Sequence, residues 1–444
     1  MDRDFAAWPN GAVGAEKAWG RERVILAVLA SVQFTSIIDF MVVMPLGPQL
    51  MQTLAISPAQ FGWVVSSYTF SASVAGLLAS SLIDRFDRRV AYLTLYAGFL
   101  VGTLLCGLAS GYAALLGARI ITGAFGGILG GMAMAIIGDV FPESRRGAAT
   151  GSLMSAFALA STVGLPFGLF LGTRYGWHAP FFMLVGLGST ALLVGVRALP
   201  PLRGHLNPSK PAGHPVSELV VTLFHPNHLR AFALVVALMF GGFAVIPYIS
   251  AYLVANVGVP VTRLPLVYLV GGGLTLVAAP VVGKLADRHG KLRVYCIAVP
   301  ASAVLMIGVT NLPRVPVAVA VLVVGLNLMG NASRMVVAMA MIMASVEPRR
   351  RGSFMSANSS VQQLATGLGA FVGGQIIVKA SDGSLRRFDW VGYLAVAATL
   401  LSLALAARLR VAGPVKETSP GFSLGAADDA IGDPGDPLAA VESA

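Results

Sequence analysis

Three charged side chains sit where the sequence is otherwise apolar: Asp39 in SIIDFMVVMPLGPQL, Arg119 in LLGARIITGAFGG and Arg334 in GLNLMGNASRMVV. A carboxylate central to a membrane-length run costs about 2.5–3.5 kcal/mol on insertion scales, which by default makes it a functional candidate. The chemistry open to Asp39 is reversible protonation. Burial favours the neutral acid and a neighbouring guanidinium favours the carboxylate, so an acid between these opposed influences can bind a proton on one side of a membrane and release it on the other. No nucleophile, metal cluster or carboxylate pair occurs at similar depth, and neither enzymatic activity nor a metal or cofactor is expected. At 1.5 Å per helical residue, Asp39 lies about 24 Å from the end marked by Arg23, Arg119 about 30 Å from Asp139, and Arg334 about 21 Å from Pro348. All three charges could therefore meet near mid-membrane, or Arg119 could simply neutralise Asp39.

The elements that must hold them are membrane helices. Of 444 residues 56% are hydrophobic and only 11% are charged, against about 25% charged in an ordinary soluble domain. Apolar runs recur near 24–46, 61–83, 90–110, 113–138, 148–172, 179–198, 231–253, 264–283, 294–310, 317–346, 354–378 and 390–407. Most approach the roughly 20 residues that a helix needs to cross hydrocarbon, and their continuity excludes a barrel. The expected fold is an all-α membrane protein of twelve transmembrane helices. Of the 31 Lys and Arg, 23 fall on the amino end, the even-numbered loops and the carboxyl end, against 6 on the odd-numbered loops, which places both termini in the cytoplasm. The formal charge of +11 then reports topology and anionic lipid, and no nucleic-acid partner is expected. A removable signal peptide is not expected. Cys106 and Cys296 read as small hydrophobes, and His205, His214, His225 and His228 as part of a solvated linker.

The chain repeats itself. SLIDRFDRR and GKLADRHGK place Asp84 and Asp287 203 residues apart, Pro45 and Pro247 are 202 apart, and Arg146-Gly147 precedes Arg351-Gly352 by 205. Two parallel six-helix halves follow, over 24–198 and 231–410, with an amino-terminal segment 1–23, a proline-rich cytoplasmic linker 199–230 and a disordered cytoplasmic tail 411–444. Internal repeats of this kind mark secondary transporters.

These residues resemble the major facilitator superfamily. GKLADRHGK matches its signature between the second and third helices, here in the second half through Gly283, Asp287, Arg288 and Gly290. The first-half copy keeps Asp84, Arg85, Arg88 and Arg89, with Ser80 and Asp87 where the pattern has glycine. LLGARIITGAFGG is similar to the fourth-helix motif through Arg119 and Gly123, and GDVFPESRRGAATG, holding Asp139 and Arg146, to the loop that follows it in drug:proton antiporters. STVGLPFGLFLGTRYGWHAPFF resembles the arabinose and sugar efflux group; its Gly164, Pro166 and Gly168 depart from the antiporter motif Gly-Pro-x-x-Gly-Gly. The resemblance implies a pseudo-symmetric bundle whose helices one, four, seven and ten line a central cavity, and a working monomer.

Residues and resemblance together lead to a secondary transporter in the inner membrane of a bacterium, exporting a drug-like or sugar-like small molecule by proton antiport. Its partners would be that solute, protons and the bilayer. A proton-coupled importer, a passive facilitator and a non-transporting sensor are the alternatives. Asp39 and Arg119 are the proton-coupling candidates. Arg334, Asn327, Asn331, Gln33, Met41, Phe243 and Tyr248 are the cavity candidates, with helix packing as the alternative. Asp84, Arg85, Arg88, Asp139, Arg146, Gly283, Asp287, Arg288 and Gly290 would form a latch that closes when the inner side closes. The positions about 203 residues on from Asp39 and Arg119, near Gly242 and Leu322, carry no charge. The repeat therefore does not require the charged pair, which favours a functional reason for it.

Overall fold

The computed structural model describes residues 12–82, 86–202, 224–347 and 351–409. The first half runs through α1 (Ala12–Val42), α2 (Gly47–Thr53), α3 (Pro58–Leu82), α4 (Arg88–Leu108), α5 (Tyr112–Val140), α6 (Glu143–Leu159), α7 (Leu165–Tyr175) and α8 (Ala179–Ala198). The second runs through α9 (Pro226–Val245), α10 (Ile249–Tyr252), α11 (Leu264–His289), α12 (Lys291–Thr310), α13 (Val317–Ala344), α14 (Arg351–Ile376) and α15 (Phe388–Ala407). A small antiparallel hairpin, β1 (Val378–Lys379) and β2 (Leu385–Arg386), precedes α15. Asp84, Arg85, most of the expected linker including His205 and His214, and the expected tail lie outside the described residues.

Eleven helical segments among the described residues are long and apolar enough to cross a membrane, one fewer than the twelve expected. The difference is α14, which has 26 residues but carries Asn358, Ser359, Ser360, Gln362, Gln363 and Thr366. It packs along α3 and α9, and Asn358, Ser360 and Thr366 are buried. The first helix also begins earlier than its apolar run, at Ala12.

Proline and glycine set the local breaks. α1 stops at Val42 before Pro45, and α9 at Val245 before Pro247, where a 3₁₀ turn, Ile246–Tyr248, intervenes, because proline offers no N–H to continue the helix. Between α6 and α7 a π turn, Ala160–Gly164, precedes Pro166 and lets one span re-aim part-way through. Gly290 closes α11 at φ +89°, a conformation that side chains rarely adopt.

Glycine columns bring the helices together, and they obey the repeat. A Cβ at Gly164 would collide with Ile38, one at Gly168 would lie 3.3 Å from Val42, and one at Gly172 2.5 Å from Leu46, so α7 lies closely on α1. In the second half Gly369 and Gly373, each 205 residues on, meet the backbone of Phe240 and Ala244, so α14 lies on α9 in the same way. Small residues allow such approach where no hydrophobic force acts between helices.

The apolar cores are not symmetric end to end. One cluster joins both halves at the end of the bundle holding Met44, Leu50 and Phe61 with Tyr248, Leu253 and Leu264. At the other, basic end, each half keeps its own cluster, Tyr92, Phe99 and Ile136 in one and Phe232, Tyr295 and Phe354 in the other. Between them the halves touch through α3 and α14, where Ser73 Oγ donates to the Ser360 carbonyl at 2.8 Å, and through Thr162 Oγ1, which donates to the Gly272 carbonyl of α11 at 3.3 Å.

Candidate functional site

Asp39 and Arg119 meet inside the first half, both with no exposed surface. Arg119 Nη1 donates to Asp39 Oδ2 at 2.7 Å and also lies 3.4 Å from the Asp39 carbonyl oxygen. Tyr68 covers the guanidinium in a cation–π contact, with Cζ 4.4 Å from the ring centroid. Its Nε and Nη2 find no nitrogen or oxygen partner among the described residues.

The packing explains the placement. Gly123 follows Arg119 by one turn, and any side chain there would collide with the Tyr68 carbonyl; a Cβ at Gly126 would stand 2.7 Å from the Tyr68 hydroxyl. The absent side chains let α3 approach α5 until the Tyr68 ring lies over Arg119. From the other side, the glycine column of α7 presses α1 inward at Ile38 and Val42, which aims the intervening Asp39 at α4 and α5.

Thr103 on α4 completes the site. Its hydroxyl lies 3.2 Å from Asp39 Oδ1 and 3.0 Å from the Phe99 carbonyl. One hydroxyl has one proton to give, so it donates to the carboxylate in one arrangement, and in the other donates to Phe99 while accepting from a protonated Asp39. Both charge states of the acid are thus provided with a partner. Phe40 carries the site outward: its ring lies 5.3 Å from that of Tyr68 and 6.0 Å from that of Phe243 in the other half. Tyr68 and Thr103 were not singled out by their sequence context, which shows no charge and only ordinary spacing; the signal was Gly123, whose lack of a side chain fixes which neighbour approaches.

The third charge makes its hydrogen bonds elsewhere. Arg334 is 1% exposed and donates through Nη2 to Asn331 Oδ1 at 2.6 Å and through Nη1 to Thr399 Oγ1. Its hydrogen-bond partners belong to the second half, because its side chain reaches across to α15. Asn331 in turn donates to the Asn327 carbonyl at 3.0 Å, and Asn327 is fully buried. Gln33, Met41 and Phe243 are half-buried. Tyr248, grouped with them on sequence, is instead sealed in the seam between the halves, where its hydroxyl donates to the Ala370 carbonyl at 2.5 Å.

The loop charges also divide. Arg88 Nη1 binds Asp139 Oδ2 at 2.7 Å and the Ala135 carbonyl at 3.1 Å, and Lys291, 203 residues on, reaches the Ala340 carbonyl at 3.4 Å. Each contact ties helices of one half. Arg146 turns back to the Phe141 carbonyl at 2.9 Å and to Glu143 at 3.7 Å, while Arg145 pairs with Glu22 at 2.9 Å. Asp287 and Arg288 are exposed, and neither forms an ion pair among the described residues. Asp87, where the signature has glycine, caps α4: its Oδ1 accepts from Arg89 N at 2.9 Å and Leu202 N at 3.1 Å.

The family model described as Major Facilitator Superfamily matches residues 29–331 and 231–427. The chain belongs to the major facilitator superfamily. Among its superfamily relatives, the uncharacterized MFS-type transporter YtbD of Bacillus subtilis is 24% identical over 80% of this chain and 88% of its own length. The tetracenomycin C resistance and export protein of Streptomyces glaucescens is 29% identical over 41% of this chain and 34% of its own length. A crystal structure of a bacterial homolog to the human lysosomal transporter Spinster, inward-facing and occupied, superposes with a TM-score of 0.68 over 88% of this chain and 98% of that one, at 17% identity. The superfamily member described here is a multi-pass helical membrane protein with the fold of membrane transporters.

Proposed function

We propose that the protein is a secondary active transporter that exports a small organic solute, drug-like or sugar-like, in exchange for protons. The observation that carries this reading is the buried Asp39–Arg119 pair with Thr103 arranged to partner either protonation state. A proton on Asp39 removes the ion pair and leaves Arg119 tied to α1 by the longer contact with the Asp39 carbonyl at 3.4 Å. The Phe40 ring, one residue along, then passes the change to Tyr68 and, across the halves, to Phe243. Solute and proton compete for one conformational cycle, and a proton brings about 2.3 kcal/mol per 100 mV.

In this reading twelve spans form two six-helix halves, 24–198 and 231–410, joined by the cytoplasmic linker 199–230, with the segment 1–23 and the tail 411–444 both cytoplasmic. The basic end, where each half keeps its own core, faces the cytoplasm of a bacterial cell, and the shared core seals the outer side of the inner membrane. The chain works as a monomer, is not an enzyme and needs no cofactor. Export is favoured over import by the resemblance of 161–182 to efflux carriers and by the similarity to the tetracenomycin C export protein.

The test is flux in liposomes holding a pH-sensitive dye, with a panel of antibiotics and sugars. Solute-dependent proton movement in the opposite direction, lost in Asp39→Asn, supports exchange. Equal solute movement in both proteins without proton movement makes the protein a facilitator and Asp39 structural.

A further inference from the structure

The second half carries a groove of about 500 Å³ between the amino-terminal parts of α11 and α13. The two helices meet further along, where a Cβ at Gly271 would stand 2.6 Å from Leu328 and 3.6 Å from the Gly325 Cα. On the amino-terminal side of that contact, Leu266 and Val270 of α11 and Val317, Val321 and Leu322 of α13 line the groove, with Arg263 at its end. Arg263 precedes Val270 by seven residues, about 10 Å of helix axis. The core shared by both halves takes Leu264, Val267 and Val324 of the same helices and fills the space between the halves at this end. The groove therefore opens outward, beside Leu266 and Leu322, which are 41% and 54% exposed. Both helices begin apolar spans here, Val261–His289 and Val317–Ala344, so Arg263 lies at headgroup depth and Val270 in hydrocarbon.

The surroundings give Arg263 no reason to be there. It is exposed and forms no ion pair among the described residues, and the first turns of α11 and α13 carry no acid. The repeat does not call for it: the position 203 residues earlier is Gln60, whose side chain accepts from Ser57 N at 2.9 Å beside the start of its own helix. It also stands at the end of the bundle poor in Lys and Arg, so the bias that gathers basic residues at the other end does not account for it.

We propose that this groove binds an anionic phospholipid, with one acyl chain along Leu266, Val270 and Leu322 and the phosphate on Arg263. A guanidinium donates two parallel N–H bonds to phosphate oxygens, and the amino terminus of α13 beside Val317 adds favourable partial charge. The volume lies within the roughly 300–1,000 Å³ of ligand sites. Its apolar walls suit a hydrocarbon chain, and a free phosphate would fill only the arginine end. Net charge separates the lipids: phosphatidylglycerol leaves the site neutral, whereas phosphatidylcholine brings a second cation beside Arg263. The site stands apart from Asp39 and does not depend on the exchange reading.

The experiment places the full chain in phosphatidylcholine vesicles holding a trace of phosphatidylglycerol or of phosphatidylcholine, each with a photoreactive diazirine on one acyl chain. After illumination, labelled peptides are mapped by mass spectrometry. Phosphatidylglycerol is expected to label 263–270 and 317–322 about fivefold more than phosphatidylcholine does, the preference one arginine gives for an anionic lipid. Arg263→Gln should bring that ratio to about one, and Arg174→Gln, which removes an exposed arginine of the first half, should leave it unchanged. Ala318→Trp sets an indole in the groove, which Ala318 also lines, and should lower labelling by both lipids; it serves if Arg263→Gln does not fold. Equal labelling in the parent, no labelling of these segments, or a preference that persists in Arg263→Gln or vanishes in Arg174→Gln overturns the site. Labelling unchanged in Ala318→Trp overturns it as well. So does loss of the preference on adding free glycerol phosphate, which would mark a bare phosphate site.

Discussion

Replacing Arg119 by Met removes the partner of Asp39 while keeping most of the side-chain volume on α5. In the parent, Asp39 Oδ2 has its donor at 2.7 Å and neither partner touches solvent; in Arg119→Met the carboxylate keeps only the Thr103 hydroxyl, which it shares with the Phe99 carbonyl. Breaking a buried pair by removing one partner costs about 3–5 kcal/mol, a change of about two to four powers of ten in the folded-to-unfolded ratio. Lost packing under the Tyr68 ring adds about 0.5–2 kcal/mol from the cation–π contact. Removing both charges in Asp39→Asn/Arg119→Met leaves no lone charge, so the double variant should be more stable than Arg119→Met. Unfolding in mixed micelles of increasing SDS fraction, followed by tryptophan fluorescence, gives all four corners of the cycle. Two single losses that simply add in the double variant would show that the residues do not act as a pair, and the electrostatic reasoning would be refuted.

Other outcomes follow from particular contacts. Thr103→Val takes away the hydroxyl that can serve either protonation state of Asp39, and liposome assays should show solute-driven proton flux falling about tenfold or more while the protein remains folded, by analogy with the 10²–10⁴-fold contribution of positioned proton-transfer groups. Gly127→Val forces a branched side chain where even a Cβ would stand 2.7 Å from the Ala72 Cα; overpacking of this kind costs about 1–3 kcal/mol or more, measurable as a lowered midpoint in the same SDS titration. Asn256 holds the hairpin through both backbone polar groups of Leu385, donating at 3.0 Å and accepting at 2.8 Å, so Asn256→Ala should speed amide exchange across 378–386 and leave exchange in α13 unchanged. The turn of that hairpin has its own pH dependence: hydrogen bonds from the Ser384 side chain and backbone hold Asp382 below the usual carboxylate range. Because the folded form binds its proton less readily, the turn's stabilisation is present above the ordinary carboxylate range and is lost as pH falls through the lowered value, visible as faster exchange at Ser384 in acid.

Much of the site was legible in sequence because charge is costly in lipid: Asp39 and Arg119 stood out before any fold was known, and the fold pairs them. Gly123, Gly126 and Gly127 of α5 and Gly164 beside α1 then mark where helices approach closely. What could not be read was direction around a helix axis. Arg334 shares the depth of the other two charges, but its side chain turns to Thr399 on α15, and linear spacing does not reveal the azimuth of a long side chain that can reach two neighbours. Tyr248 and Met41 lie on helices one and seven alike in sequence terms, yet one is locked in the seam between the halves and the other is half-buried. The polar residues of α14 lowered its hydropathy although it packs on α3 and α9 and buries Asn358, Ser360 and Thr366. Asp87 looked like a lost glycine and is a helix cap, since the signature describes a sequence pattern and says nothing of the Leu202 N–H that comes to lie beside it.

The most direct test of solute and proton competing through Asp39 is proton release on solute binding. The purified chain, in weakly buffered detergent solution above neutral pH and again near pH 6, is mixed with a solute found active in the liposome panel, and the pH change is recorded for the parent and for Asp39→Asn. Release of protons by the parent at the lower pH, absent in Asp39→Asn, is the expected result. Equal release in both proteins, or binding with no release at either pH, would contradict exchange through Asp39.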